Sequence, residues 1–228
     1  MASWNAFRGV RLRELDKKRA VGGVLPELDF HLDAHAMRDL AEEFREFPGA
    51  VQQAILLATD RTRQFTRNEM VRGFRRLVTL KPAYIGKGLK SSKAKPVQGG
   101  ARAEVRIATS NIPLGRYGVK PERPPRLKGV PVAARQRVSY RLRLGGQLFD
   151  DAPHDAPAGA GKLFVQAMSS GHIGVFYRHD GAIQQEFGPS LQYHAYADGF
   201  LERISRLSVA RFRDTFSDEA RKLTGVKA

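Results

Sequence analysis

Three histidines and a carboxylate gather in the C-terminal half of the chain: His172, His179, His194 and Glu186. A histidine–carboxylate couple can move a proton in general acid–base catalysis. Such a couple needs a nucleophile to act on, and the sequence sets none in a recognisable frame. Ser169-Ser170 precedes Gly171, yet the G-x-S-x-G pattern of a nucleophile elbow is missing. Gly161-Lys162 has the closing pair of a phosphate-binding loop, but Ala156 stands where that motif needs glycine and Leu163 where it needs a hydroxyl. Asp150, Asp151, His154 and Asp155 carry metal-donor atoms, but they lie among prolines and alanines with no regular element to hold ligand geometry. A solvated acidic loop is the simpler account. The chain has no cysteine, which excludes disulfides and thiolate metal sites. No catalytic residue, metal site or cofactor is therefore expected, and the chain is expected not to be an enzyme.

Charge is the stronger signal. The formal net charge is +16, and it is unevenly spread. Between Arg61 and Arg143, 22 Lys/Arg residues stand against 3 acids (Glu69, Glu104, Glu122), a local +19, while the remainder is close to neutral. A field of that size attracts polyanions, either nucleic acid or an acidic protein surface. Arg63, Arg67, Arg72, Arg75 and Arg76, with Lys87 and Lys90, are the candidate contacts to DNA or an acidic partner; the same arginines equally solubilise amphipathic helices. Stacking platforms for single-stranded nucleic acid need aromatics on an exposed basic face. Only Phe65, Phe74, Tyr84, Tyr117 and Tyr140 fall in this segment, and the first two belong to helix stripes. Trp4, in the N-terminal arm, reads as a packing anchor.

Hydrophobic periodicity gives the elements that must position these residues. Residues 1–28 read as an extended arm, broken by Gly22-Gly23 and Pro26, and 29–228 as one domain. A helix is expected over 33–47, interrupted by Pro48-Gly49, then a second carrying Val51, Ala54, Ile55, Ala58, Thr62 and Phe65. Thr66-x-x-Glu69 has the capping-box pattern and predicts the start of a third. Residues 81–100 and 119–135 read as basic loops. Alternation predicts strands around 103–107, 138–144 and 163–168, and a hairpin at 173–178 and 182–187 turning on His179-Asp180-Gly181. Across that hairpin Glu186 is placed to pair with Arg178, and Val175 and Phe176 face opposite ways. A terminal helix carries Phe200, Ile204, Leu207, Phe212 and Phe216. The order predicts an α+β fold, an antiparallel sheet of about four strands packed against N-terminal helices and a C-terminal helix. No apolar run approaches the ~18 residues of a membrane helix, and Met1–Ala20 lacks the apolar stretch of a signal peptide. A reducing cytoplasm is the expected place of synthesis.

The stretch Gly161 to Arg178, with Ala167-Met168-Ser169-Ser170-Gly171-His172-Ile173-Gly174-Val175-Phe176 at its centre, is followed by Glu186-Phe187-Gly188-Pro189-Ser190. Together these resemble the C-terminal signature of the phage minor tail protein Z (tail completion) family. Upstream, Ile112-Pro113-Leu114-Gly115-Arg116-Tyr117 resembles that family's I-P-L-x-R-F element and Gly129-Val130 its K-G-V step. The resemblance spans residues 50–195; Ala182-Ile183-Gln184-Gln185 departs from the family's L-P-I strand, and the arm and the 147–161 insert have no counterpart. It implies a structural virion protein at the head-proximal end of a phage tail, needed for head–tail joining. It further implies a homo-oligomeric ring, a hexamer, around the DNA path. The implied neighbours are tail-terminator, tail-tube or head-connector proteins and, non-specifically, the packaged DNA. Gly171, His172, Gly174, Val175, Phe176, Arg178, Glu186, Gly188, Pro189 and Ser190 then read as fold-making residues.

Overall fold

The computed structural model describes residues 47–97, 100–124, 137–150, 161–168, 173–196 and 199–225, with the backbone alone for Glu27–Asp29. Most of the arm, the helix expected over 33–47, Gly129-Val130 and most of the 119–135 and 150–161 loops lie outside the described residues.

Helix α1 runs without a break from Pro48–Leu77, 30 residues. Proline at a first helical position loses no hydrogen bond, so Pro48 is a fitting start for this helix. Ala54, Ala58, Thr62, Thr66, Met70 and Phe74 recur every fourth residue and are all buried, one stripe passing straight through the expected capping box. No glycine or proline stands between Arg61 and Phe65 to break the helix, and extending a helix costs less than nucleating a new one. Thr66 spends its hydroxyl elsewhere: it lies 2.7 Å from the Ser208 hydroxyl. Ser208 gives its single proton to the Ile204 carbonyl at 2.8 Å, so Thr66 is the donor of the pair.

The chain packs as two units. The first holds residues up to Arg72, Leu89–Ala108 and Tyr196 onward; the second holds Gly73–Gly88 and Thr109–Ala195.

In the first unit the long C-terminal helix, Phe200–Thr224, ends on Gly225 at φ 72°, whose N–H returns to the Arg221 carbonyl. Phe212, Phe216 and Ala220 of this helix pack on Ala54 and Ala58, whose lack of bulk lets phenylalanine rings seat against the α1 backbone. The sheet of this unit has the order β1 (Glu27–Asp29), β3 (Gly100–Ile107), β2 (Leu89–Val97), all antiparallel. Ala101, Ala103, Val105 and Ile107 are buried while Arg102 and Arg106 are exposed, as the alternation predicts.

The expected loop at 81–100 is instead helix α2 (Pro82–Lys87) followed by the nine-residue strand β2. Lysine-rich composition hides a strand here because its stability comes from its neighbours. Arg63 Nη1 donates to Ser91 Oγ at 2.9 Å, Arg67 Nε to the Leu89 carbonyl at 3.1 Å, and the Ala94 N–H to Asp60 Oδ1 at 3.1 Å. One face of α1 thus holds β2 at three points.

The second unit contains the 3-stranded sheet β7 (Phe164–Ala167), β8 (Ile173–His179), β9 (Ala182–Gln185) and two short pairs. These pairs are β4 (Ile112–Pro113) with β10 (Phe187–Gly188), and β5 (Ser139–Tyr140) with β6 (Phe149–Asp150). Helix α3 (Leu191–Ala195) follows β10, and the C-terminal helix is α4. The fold is α+β, with its strands shared among several small antiparallel sheets in place of one. In the expected 138–144 strand, Val138, Tyr140 and Leu142 are buried, but only Ser139–Tyr140 pairs as strand; Arg143 makes an isolated bridge to Val78.

The helix pair of the first unit carries a buried carboxylate. Glu219 accepts from Lys222 Nζ at 3.0 Å and from Arg61 Nη1. The Lys222 hydrogen bond, with the Arg61 charge, holds its carboxyl below the ordinary glutamate range. With the folded value below the unfolded one, the stabilisation is fully present above the unfolded pKa of about 4.3. It is lost as pH falls through the folded value. Denaturant titrations at pH 7 and at several acidic pH values should show Glu219→Gln losing less stability with acid than the wild type. Parallel acid limbs for the two proteins would remove this carboxylate from the account.

Candidate functional site

Strand β8 is central in its sheet, and Gly174 to Tyr177 are all buried, so β8 is covered on both faces there. Val175 and Phe176, which alternate across the strand, are both buried. The turn is as expected: Asp180 (φ 49°) and Gly181 (φ 77°) both adopt left-handed backbone, which a two-residue type I′ turn requires. Gly174 is needed for space. A Cβ there would lie 2.8 Å from the Phe176 ring, which folds back over it. Phe176 stands opposite Phe164, and the Arg178 guanidinium lies 5.9 Å from the Phe164 ring centre. The cross-strand neighbour of Arg178 is Ile183, and Glu186 lies further on, its N–H bonded to the Val175 carbonyl at 2.9 Å. The two-residue turn, which pairs His179 with Ala182, therefore sets Glu186 opposite Val175 and not Arg178.

The two segments that carry the resemblance meet in space. Phe187 and Gly188 pair with Pro113 and Ile112, and the Leu114 N–H donates to the Glu186 carbonyl at 2.9 Å. A Cβ on Gly188 would lie 2.6 Å from the Tyr117 ring, so only glycine lets the ring approach. Tyr117 donates its hydroxyl proton to the Pro189 carbonyl, across 72 residues of chain. Its oxygen also lies 3.2 Å from His194 Nε2. With the phenol proton used on Pro189, that second bond requires His194 to carry its proton on Nε2. Burial pushes the Tyr117 phenol far above its ordinary pKa, which keeps it a donor. Ser190 Oγ accepts from the Tyr193 N–H at 3.2 Å and launches α3.

Gly171 and His172 lie outside the described residues. Of the conceivable acid–base set, Glu186 and His194 are both buried, and His194 is engaged by Tyr117. Among the described residues no group of three or more His, Asp or Glu side chains is arranged to hold a metal. Among the described residues no helix is long and apolar enough to cross a membrane. Sequence reasoning missed the Tyr117–His194 link. Its partners are far apart in the chain, and His194, four residues after Ser190, looks like any helix histidine.

The basic candidates divide into two groups. Arg63 is largely buried and bound to Asp60 at 3.0 Å as well as to Ser91, and Arg67 is tied to Leu89. The Arg63 hydrogen bonds and the Ala94 N–H hold the Asp60 carboxyl below its ordinary range. Arg72 is exposed and paired with Glu69. Arg75, Arg76 and Lys87 are exposed at the C-terminal turns of α1 and α2, where the helix dipole favours cations. Lys90 is exposed on β2, where Lys93, Lys95, Arg102 and Arg106 join it around a shallow groove of about 550 Å³. Comparison with protein-family models, with curated proteins and with solved structures returns no match for this chain.

Proposed function

We propose that this chain is a structural protein of a tailed-bacteriophage virion, a tail-completion or neck component needed for head–tail joining. It acts by assembling as a ring around the DNA path, next to tail-terminator, tail-tube or head-connector proteins. One observation carries the reading: the two segments resembling the minor tail protein Z signature interlock through β4, β10, Tyr117 and Pro189. Residues of that kind make a rigid scaffold, and they are spent on packing, leaving assembly to the surfaces around them. Strand β9 supports assembly. It is the outermost strand of its sheet among the described residues, it is exposed over Ala182–Gln184, and no lysine or proline blunts it. Head-to-tail contacts of one such edge close into rings when the rotation permits.

A general nucleic-acid-binding role is the second reading, favoured by the cationic β2–β3 face. Mass measurement of the purified protein, alone and in particles, separates the two. A stable ring of about six copies, present in virions, supports tail completion. A monomer missing from every particle overturns it.

A further inference from the structure

Strand β2 contains a bulge, and its consequence is chemical. Ser92 stands opposite Glu104 and Lys95 opposite Arg102, so Lys93 and Ala94 together face the single residue between them. The extra residue resets the alternation and brings Lys95 onto the same face as Lys90 and Ser92. Across the strand, that face shows Arg102, Glu104 and Arg106. Lys90 is directly opposite Arg106, and Lys95 directly opposite Arg102. Like charges at such positions destabilise a sheet. Glu104 relieves part of this, bonding Arg106 at 2.6 Å and Arg102 at 3.3 Å, yet on β2 and β3 together four cations on this face stand against one acid. Asp60 of α1 secures the bulge by accepting the Ala94 N–H, so the arrangement is built in and held.

Edge protection explains only half of it. Lysines on an outer strand discourage aggregation, and β2 is outermost, but Arg102 and Arg106 lie on the central strand β3. On the far side of β3, Glu27 and Asp29 take the register positions next to Arg106 and Glu104, so the cationic part of the face is the β2–β3 side. We infer that this face of the β2–β3 hairpin is a docking track for the sugar-phosphate backbone of duplex DNA. Arg102 and Arg106 are separated along the strand by roughly 13 Å at about 3.3 Å per residue. Phosphates on one DNA strand rise about 3.4 Å each along the axis while winding around it, so the track is long enough to meet more than one of them. The groove contains no aromatic side chain, which leaves no platform for unstacked bases and favours duplex over single strand, without sequence preference. The assignment rests on the tail-completion reading for the identity of the polyanion, a duplex in transit.

The test uses the full chain and a random-sequence duplex of 30 base pairs, with the matching single strand, read by anisotropy over a salt series. Combined K90Q, K95Q, R102Q and R106Q should weaken duplex binding at least about tenfold and flatten the log–log salt slope by up to about 3.6. The pair K90Q and K95Q, which leaves the Glu104 ion pairs alone, should flatten it by about half as much. Glu104→Gln should tighten binding. Wild-type affinity in the fourfold variant overturns the assignment, as does no change in Glu104→Gln or a preference for single strand. If duplex binding fails while the protein is present in virions, the face belongs to an acidic protein neighbour and only this inference falls. If binding holds but virions lack the protein, tail completion falls alone.

Discussion

Phe216→Ala is expected to destabilise the protein by about 3–5 kcal/mol, the largest effect of any single truncation proposed for the first unit. Phe216 is fully buried, stacked on Phe212 at 6.1 Å with an interplanar angle of 12°, and seated against Ala54 and Ala58. The cost is high because the walls cannot close. Alanines have no side chain to swing into the void, so the lost transfer energy and the cavity term both persist. Equilibrium urea unfolding gives the number, with Leu223→Ala, a partly exposed residue of the same helix, as the control. A loss at Phe216 no larger than at Leu223 would mean that the α1–α4 contact is not a core.

Gly188→Val is expected to destabilise by about 1–3 kcal/mol or more through overpacking. The new Cβ would lie 2.6 Å from the Tyr117 ring and 3.2 Å from Leu142 Cδ2. Tyr117 cannot turn aside, because its hydroxyl is fixed by the Pro189 carbonyl and His194. The strand pair β4–β10 must then separate, and the two signature segments lose their junction. Gly115→Ala is the contrast, since its added Cβ meets nothing closer than 3.6 Å and should be within about 0.5 kcal/mol of wild type. Equal effects at the two glycines would show that Gly188 is not held by Tyr117.

The α+β class, the hairpin at 173–187 and the terminal helix were legible because each rests on a local signal. Asp180-Gly181 encodes its own turn, and β3 alternates cleanly between arginine or glutamate and apolar residues. The failures share a cause in non-local bonds. Thr66 looked like a cap because its bond to Ser208 crosses 142 residues. Strand β2 looked like a loop because Asp60, Arg63 and Arg67 hold it from another element. Arg63 and Arg67 looked like free surface cations for the same reason. The basic character of the middle segment was legible; the bulge that sorts its charges onto one face was not.

Tail completion is tested most directly by electron microscopy of a phage lysate in which this gene is disrupted. Filled heads and finished tails should accumulate unjoined, and adding the purified protein should restore joined, infectious particles. Normal numbers of intact, infectious particles formed without the protein would leave no place for it at the neck.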